Sequence, residues 1–500
     1  MLSIDILLDL FSLTNLSAIF FGVSIGLLIG MLPGLTANLG VALLLPVTFG
    51  LEPTSALLLL VSVYTSAIYG GSFPAILINA PGTSASAATA IDGYVLTEAG
   101  KFNTAIRIST FASVFGGIIS GFALLLIAPP LSLISLKFGP AQYFMLAVFG
   151  LTIIGTLSSG NFIKGLIAGS IGLFLSTIGS DLDSGYPRFV FGFNGLISGI
   201  NFVPAVIGLF SLSQALVLSE NPHKTIQINK IKIDKWKFLP KFIETQKIFL
   251  TCFISSIIGV LVGILPGAGG DIASWVSYNE TKRFSKNKSE FGKGSLKGIA
   301  ASEAANNAVT GSALIPLLTL GIPGSTTAAI LLGALLIHGL VPGRELFTTH
   351  ADITYSVIWG FIFANLLMGI VGLYVAKYFG KIARIPNYLL APSIILLSVV
   401  GSYAIGNNIQ DVYTMVIFGL FGYLMRKLNY PPAPLILGLI LGPIAETGFR
   451  QSQILANDGI LLYILSNNIS LILFVLTIIS ILSSIYLELT KKINYEKNIS

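Results

Sequence analysis

Residues 302–338 read SEAANNAVTGSALIPLLTLGIPGSTTAAILLGALLIH, an apolar stretch that is interrupted in its middle. Pro316 and Pro323 lack a backbone donor, and Gly321 and Gly324 weaken a helix further, so the stretch predicts a broken helix. Hydroxyl and amide side chains surround the interruption: Asn306, Asn307, Thr310, Ser312, Thr319, Ser325, Thr326 and Thr327. In lipid, the backbone groups freed by a break need polar partners, so the break must lie inside protein or beside a water-filled cavity.

A helix that restarts after Pro323 and Gly324 would present free N–H groups and the positive end of its dipole to such a cavity. The stretch therefore predicts an anion site that needs no cationic side chain. The alternative is a kinked helix whose Ser and Thr side chains only satisfy the kink.

The first half of the chain carries a second copy of these motifs. Leu32-Pro33-Gly34 recurs as Leu265-Pro266-Gly267, and each copy follows a pair of glycines four residues apart. Residues 79–84 (NAPGTS) recur as residues 321–326 (GIPGST). Gly/Pro interruptions at corresponding positions in two hydrophobic halves indicate the binding site of a secondary transporter.

Composition places the chain in a membrane. Its 500 residues are 54% hydrophobic and only 10% charged, whereas soluble domains carry about 25% charged residues. Apolar runs exceed the ~20 residues that cross a bilayer, and such long runs exclude a transmembrane β-barrel. The single cysteine, Cys252, cannot form an internal disulfide.

The charges indicate topology rather than a nucleic-acid partner, although the net charge is +7. Residues 1–100 contain no Lys or Arg, whereas lysines concentrate in residues 224–247 and 282–297. Because basic loops between spans stay in the cytoplasm, the ends of the first hairpin should face outside and those of the second hairpin the cytoplasm. The two copies would then be inverted.

The predicted fold is an all-α polytopic membrane protein with two inverted repeats and roughly 10–14 membrane segments. Its re-entrant or broken helices carry the Pro-Gly motifs, and both arms of the first hairpin, residues 17–50, look too short to span. The predicted domains are residues 1–218 (first repeat), 219–247 (basic cytoplasmic linker), 248–490 (second repeat) and 491–500 (polar tail).

Several longer motifs resemble those of a known family. They are residues 302–308 (SEAANNA), 314–325 (LIPLLTLGIPGS), 338–343 (HGLVPG), 42–49 (ALLLPVTF), 69–72 (YGGS), 90–94 (AIDGY) and 430–435 (YPPAPL). Together they resemble the large membrane subunit, the TctA-type permease, of the tripartite tricarboxylate transporters. The resemblance covers nearly the whole chain.

The resemblance implies an importer in the bacterial cytoplasmic (inner) membrane. Its expected partners are a small TctB-type membrane subunit, a periplasmic TctC-type solute-binding protein and the lipid bilayer, with no nucleic acid. Its expected substrate is a small tricarboxylate or dicarboxylate, and the expected coupling ion is Na+, with H+ as the alternative. Family members commonly have an acidic residue after the motif at Pro81 and Gly82, where Thr83 and Ser84 stand here. A carboxylate that is smaller than citrate, or differently substituted, is therefore expected.

The predicted substrate site consists of polar and small residues at the two breaks. These residues are Asn79, Gly82, Thr83, Ser84, Pro323, Gly324, Ser325, Thr326 and Thr327. Their hydroxyl and amide donors beside helix N-termini suit carboxylate oxygens near the membrane midplane. Gly82 and Gly324 would let the backbone approach a ligand, or would serve helix packing.

Glu303, Asn306 and Asn307 form the predicted cation-coupling site. A carboxylate inside a membrane is energetically costly and indicates function, while amide oxygens and unwound carbonyls suit sodium. Two alternatives are that Glu303 positions the asparagines, or that it is solvated at the start of a helix. Elsewhere, Asp92 before Gly93 predicts a turn, and Asp271 predicts a helix cap.

Other function classes find little support in the sequence. We predict no catalytic residues, no covalent cofactor and no metal ligands, because the three histidines share no ligand spacing and no phosphate-binding loop is present. A membrane-embedded enzyme would need a convergent set of nucleophile and base. The remaining alternatives are a stand-alone carboxylate symporter and a passive channel.

Overall fold

Among the residues that the structure describes, the regular secondary structure is helical, with one small exception. A computed structural model describes residues 4–32, 34–134, 138–152, 162–181, 184–223, 241–265, 269–379, 385–456 and 459–497. The exception is an antiparallel pair of two-residue strands, β1 (Gly179–Ser180) and β2 (Pro187–Arg188), in which Gly179 pairs with Arg188. The hairpin tips at Pro33 and at residues 266–268 lie outside the described residues.

The described residues of the first half form eleven helices. They are α1 (Ile4–Leu10), α2 (Leu13–Met31), α3 (Ala37–Leu44), α4 (Pro53–Gly70), α5 (Ser72–Ile78), α6 (Ala87–Glu98), α7 (Phe102–Ile134), α8 (Pro140–Thr152), α9 (Phe162–Ser176), α10 (Phe202–Val206) and α11 (Ser213–Ser219). Short 3₁₀ turns lie at Pro46–Gly50, Ser84–Ser86 and Asn194–Leu196, and a π-helical segment, Ile207–Leu212, joins α10 to α11.

The second half follows after a segment that is mostly outside the described residues. Its helices are α12 (Phe242–Ile264), α13 (Gly269–Phe284), α14 (Leu296–Ser312), α15 (Leu314–Leu320), α16 (Thr326–Ile337), α17 (Arg344–Thr348), α18 (Ala351–Ala376), α19 (Asn387–Gly406), α20 (Ile409–Lys427), α21 (Pro432–Leu455), α22 (Ile460–Ser466) and α23 (Asn468–Lys497). A 3₁₀ turn lies at Lys288–Glu290.

Several helices could cross a membrane. Within the described residues, eight helical segments are long and apolar enough, and a ninth arises if Ile460–Ser466 and Asn468–Leu482, bent by 104°, count as one span. Shorter apolar helical segments are Ala37–Gly50, Ile163–Ser176 and Thr326–Ile337. Because Leu13–Met31 is one of the eight, the expectation that both arms of the first hairpin are too short is wrong for its first arm.

The chain divides into two compact units that each draw on both halves of the sequence. Unit 1 comprises Met1–Ser132 and Gln214–Gly401, and unit 2 comprises Leu133–Ser213 and Ser402–Ser500. Unit 1 therefore contains both hairpins and both breaks. The boundaries of the sequence repeats stay a prediction, since the compact units follow a different division. Within the predicted linker, α12 already begins at Phe242.

An apolar cluster inside unit 1 joins the two halves of the sequence. It brings Ile19, Leu27 and Phe73 together with Cys252 and Ile299, all of which are buried. Since lipid tails are as apolar as these side chains, the cluster stabilises the unit by close packing rather than by escape from water.

Unit 2 contains a network of ion pairs. Arg188 donates to both carboxyl oxygens of Glu446, at 2.6 and 3.2 Å, and Arg450 lies 2.7 Å from Asp181. The hydrogen bond to Glu446 raises the pKa of Arg188 above its ordinary value. This network joins Asp181 and β2 to α21 through charge-assisted hydrogen bonds.

Candidate substrate and cation sites

The two breaks share one backbone geometry. Asn79, after α5, and Gly321, after α15, both adopt the left-handed conformation, with φ of 52° and 70°. The next residue then donates to a carbonyl six positions back: Ala80 to Pro74 and Ile322 to Pro316, both at 3.2 Å. The loop that this hydrogen bond closes is one residue wider than the six-to-one bond of a Schellman helix end, and the bond gives the proline carbonyl a partner beside the break.

Each break ends with a hydroxyl that caps the next helical segment. Thr83 Oγ1 accepts from the Ser86 N–H at 3.3 Å, and Ser325 Oγ accepts from the Ala328 N–H at 3.2 Å. Thr83 and Ser325 therefore satisfy helix N-termini, as the kink alternative expects. Ser325 also makes a second contact, because its hydroxyl lies 2.9 Å from the Tyr64 hydroxyl.

Gly82 and Gly324 pack against the first arm of the hairpin in their own half. A Cβ on Gly82 would stand 2.6 Å from Gly30 O, and one on Gly324 would stand 2.7 Å from Gly263 O. Only glycine allows this approach of two backbones. The packing role is therefore present at both glycines, and ligand contact by either stays a prediction.

The polar contacts of each break reach the hairpin of the other half. Thr327 Oγ1, in the first turn of α16, donates to Asn38 Oδ1 of α3 at 2.6 Å. Ser84 Oγ donates to Asp271 Oδ2 of α13, also at 2.6 Å. Asp271 thus accepts a hydrogen bond from the first break, a contact that its expected role as a helix cap did not include.

The predicted substrate residues occupy two places. Gly82, Pro323, Gly324 and Thr327 are buried, Thr83, Ser325 and Thr326 are partly buried, and Asn79 and Ser84 are exposed. In the part of the chain that the structure describes, no hydrogen bond joins residues 79–84 to residues 323–327. The 3₁₀ turn Ser84–Ser86 packs on α13 and α14, while α16 packs on α3 and α4. That both breaks contact one substrate stays a prediction.

Glu303 is fully buried in a ring of hydroxyl groups. Its carboxylate accepts from Ser72 at 2.7 Å, Ser113 at 2.8 Å and Ser109 at 3.2 Å, and also from Thr89. The alternative that Glu303 is solvated at a helix start is therefore wrong. A buried carboxylate needs such donors, and these come from α5, α6 and α7. Its role in cation coupling stays a prediction.

Asn307 takes part in a different network. Its amide nitrogen donates to Thr65 Oγ1 at 3.2 Å and to Asn365 Oδ1 at 3.4 Å, and Thr65 donates to Asn365 Oδ1 at 2.8 Å. These contacts tie α14 to α4 and α18. Thr65 and Asn307 lie equally far before Gly82 and Gly324, so equivalent positions of the two halves meet here.

Asn306 faces a third environment. It is 1% exposed, and neither its amide nitrogen nor its amide oxygen has a hydrogen-bond partner in the described part of the chain. Its Oδ1 lies 2.4 Å from the point where a Cβ on Gly270 would stand, and Ala85 Cβ lies 3.4 Å from the same point. Asn306 is thus aimed at the first turn of α13, next to the first break.

Asp92 is not a turn residue, contrary to the expectation from its sequence. It lies inside α6, fully buried. Its Oδ1 accepts from the N–H groups of Gly292, Gly294 and Ser295 at 2.8–2.9 Å, and its Oδ2 accepts from the Tyr278 hydroxyl at 2.8 Å. Burial raises the pKa of Tyr278, and this hydrogen bond to Asp92 raises it further. Four distant donors override the local preference for a turn.

Several residues of the two sites escaped the sequence-based prediction. They are Asn38, Tyr64, Thr65, Ser72, Thr89, Ser109, Ser113, Asp271 and Asn365. One usable signal was the repeat itself. Tyr64 lies as far before Gly82 as Asn306 before Gly324, and Asn38 as far after Leu32 as Asp271 after Leu265.

The part of the chain that carries both hairpins and both breaks lies within the match to a known family. The sequence model described as "Tripartite tricarboxylate transporter TctA family" matches residues 16–437. The chain belongs to the TctA family. It is therefore a multi-pass membrane protein, the large membrane component of tripartite tricarboxylate transport, and this membership implies a transporter rather than an enzyme.

Two relatives come from Agrobacterium vitis, and both are described as uncharacterized. One, in the TAR-I ttuC' 3' region, is 36% identical over 451 residues, which cover 90% of this chain and 89% of the relative. The other, in the TAR-II ttuC' 3' region, is 37% identical over 206 residues, which cover 41% of this chain and 85% of the relative. No solved structure matches the chain.

Proposed function

We propose that this TctA-family protein is the permease subunit of a binding-protein-dependent importer for a small carboxylate. A Na+ or H+ gradient drives uptake across the bacterial inner membrane. A TctC-type periplasmic protein delivers the substrate, and a TctB-type subunit completes the membrane complex. Membership of the TctA family supports these partners and the tricarboxylate or dicarboxylate class.

One observation supports the carboxylate most directly. The helix α16 restarts after a break with its N-terminus capped by Ser325, and the hydroxyls of Tyr64 and Thr327 lie at the same end. A helix N-terminus with hydroxyl donors stabilises an anion without a cationic side chain.

The fold we propose for transport is a pair of inverted repeats. The matched break geometries and the reciprocal contacts between each break and the opposite hairpin support a two-fold relation, since such symmetry makes contacts in equivalent pairs. The shorter apolar helices then enter the membrane beside the eight or nine long ones, which gives roughly 10–14 segments. Alternating access would be an elevator-like movement of hairpins and breaks, and it would be excluded if crosslinks from the hairpins to outer helices left transport intact.

Uptake into vesicles tests this function. The protein is co-expressed with its two partner subunits, and a panel of radiolabelled mono-, di- and tricarboxylates is offered with and without a Na+ gradient. We expect Na+-dependent accumulation of one acid. Accumulation driven only by a pH gradient would assign the coupling to protons, and no uptake under either gradient, with all subunits folded, would contradict the proposal.

The same vesicles separate the alternatives. A stand-alone symporter would accumulate substrate when the partner subunits are left out. A passive channel would equilibrate the acid without accumulation, and its flux would not respond to any cation gradient.

A further inference from the structure

The two breaks offer equivalent positions to a ligand, but these positions differ in charge. At the second break, Asn38 and Tyr64 meet Thr327 and Ser325. At the first break, the equivalent positions are occupied by Asp271, which contacts Ser84, and by Asn306. Asparagine and tyrosine are neutral, whereas Asp271 carries a carboxylate. An anion is therefore repelled at the first break and tolerated at the second.

The unpartnered amide of Asn306 is the second observation. A buried amide without a partner costs free energy, on the order of 1–3 kcal/mol, so its retention in a fully packed helix calls for a ligand. Its oxygen is aimed at Gly270, the residue next to Asp271. Carboxylate, amide and hydroxyl oxygens together are the donor set that hard cations prefer.

Access and surroundings fit an ion from solution. Ser84 and Asp271 are exposed, while Asn306 behind them is buried. Glu303 does not compete for the same ion, because its carboxylate is already surrounded by the hydroxyls of Ser72, Ser109 and Ser113.

We propose that Asp271, Asn306 and Ser84 bind the coupling Na+ at the first break, while the neutral equivalent at the second break takes the carboxylate of the substrate. This inference rests on the proposed function, and it moves the cation from Glu303 and Asn307 to Asp271, in the first turn of α13. The two copies of the break would thus bind ligands of opposite charge.

Direct binding of radiolabelled Na+ tests the cation site without any carboxylate. The full chain, with its membrane partner, is placed in lipid nanodiscs in a choline buffer, and the dissociation constant is measured by equilibrium binding. Loss of a partner that only orients a metal ligand weakens affinity roughly 10- to 100-fold. We expect at least that loss in Asp271→Asn and in Asn306→Ala, with thermal unfolding in choline unchanged for Asp271→Asn.

Three further variants sharpen the result. Asp411→Asn also removes a carboxylate that accepts from an asparagine, Asn201, but in unit 2, and it should bind Na+ like the wild type. Glu303→Gln should do the same. Asn38→Asp should retain Na+ affinity at the first break and lose carboxylate binding. Wild-type affinity in Asp271→Asn, loss of Na+ in Glu303→Gln, or no Na+ binding at all would overturn the assignment.

The cation site and the transport function can be rejected independently of each other. Na+ binding that depends on Asp271, in a protein that moves no carboxylate, would keep the site and reject the function. Na+-driven carboxylate uptake that survives Asp271→Asn would keep the function and reject the site.

Discussion

The first and second breaks have the same backbone but different neighbours. Each ends a helix in the left-handed conformation, bonds back to a proline carbonyl and restarts at a capping hydroxyl. Each lies against the opposite hairpin, where the first meets Asp271 and the second meets Asn38. Backbone geometry in this protein is thus set by the repeat, and charge is set by single side chains placed on it.

A similar contrast separates two equivalent residues on the helices that precede the breaks. Glu303 on α14 is surrounded by hydroxyls, but the equivalent residue on α4, equally far before Gly82, is the apolar and buried Val61. The repeat has therefore kept its packing and diverged in polarity at the positions that face inward.

The largest loss of stability should come from Glu303→Val, which gives α14 the same residue type that α4 has at the equivalent position, Val61. The change removes the acceptor of four hydroxyl groups, and each buried donor left unpaired costs about 1–3 kcal/mol. Allowing for hydroxyls that turn to backbone carbonyls, we expect a loss of more than about 3 kcal/mol in unfolding free energy. Denaturation in detergent micelles measures it, with Glu303→Gln as the control that keeps an acceptor. A Glu303→Val protein as stable as the wild type would show that the ring of hydroxyls is not a stabilising network.

A second comparison uses Gly82→Ala and Gly324→Ala. Because both added methyl groups would meet a glycine carbonyl at similar distances, we expect similar losses of about 1–3 kcal/mol in stability. Gly50→Ala, which has nothing within 4 Å of the new Cβ, is the control. Thermal unfolding followed by size-exclusion chromatography provides the measurement. Clearly unequal losses would contradict the matched geometry.

A third test asks whether the two breaks hold different ligands. Tyr64→Phe removes a hydroxyl next to Ser325, and a hydrogen bond to a charged group contributes about 1.5–3 kcal/mol. We therefore expect a carboxylate dissociation constant raised at least about tenfold, with Na+ affinity unchanged. Asn306→Ala should weaken Na+ binding more than carboxylate binding, as measured by isothermal titration. If both variants weakened the binding of both ligands equally, the two ligands would share one site.

The smallest loss of stability should come from changing Thr65, which contacts Asn307 at the equivalent position of the other half. Thr65→Val keeps the volume but loses the hydrogen bond to Asn365, so stability should fall by about 0.5–1.5 kcal/mol. Thr414→Val removes the hydroxyl of a partly buried threonine whose hydrogen bond to Gln410 O, in the preceding turn, is exposed, and we expect a loss under about 0.5 kcal/mol. Parallel urea titrations of the two variants compare them. If Thr65→Val lowers the unfolding free energy no more than Thr414→Val does, the contact between Thr65 and Asn365 does not stabilise the protein.

The breaks were predictable because their causes are local. Proline and glycine interrupt a helix wherever they stand, and apolar runs identify spans without knowledge of neighbours. The partners were not predictable, because the hydroxyls around Glu303 come from positions 190 to 231 residues away. Asp92 shows the same limit, since Asp-Gly favours a turn until distant donors bury it inside a helix. Of the candidate site, the residue types could be predicted but not their pairing.

The crossed contacts also determine when the sites can form. Ser84 is 187 residues from its partner Asp271, and Thr327 is 289 residues from Asn38. At synthesis rates of about 5–20 residues per second, the first break waits roughly 10–40 s before its partner is made. During that time its polar groups must be shielded by water, lipid headgroups or the insertion machinery. Neither proposed ligand site can form before the second half of the chain is made, so both would assemble late in synthesis.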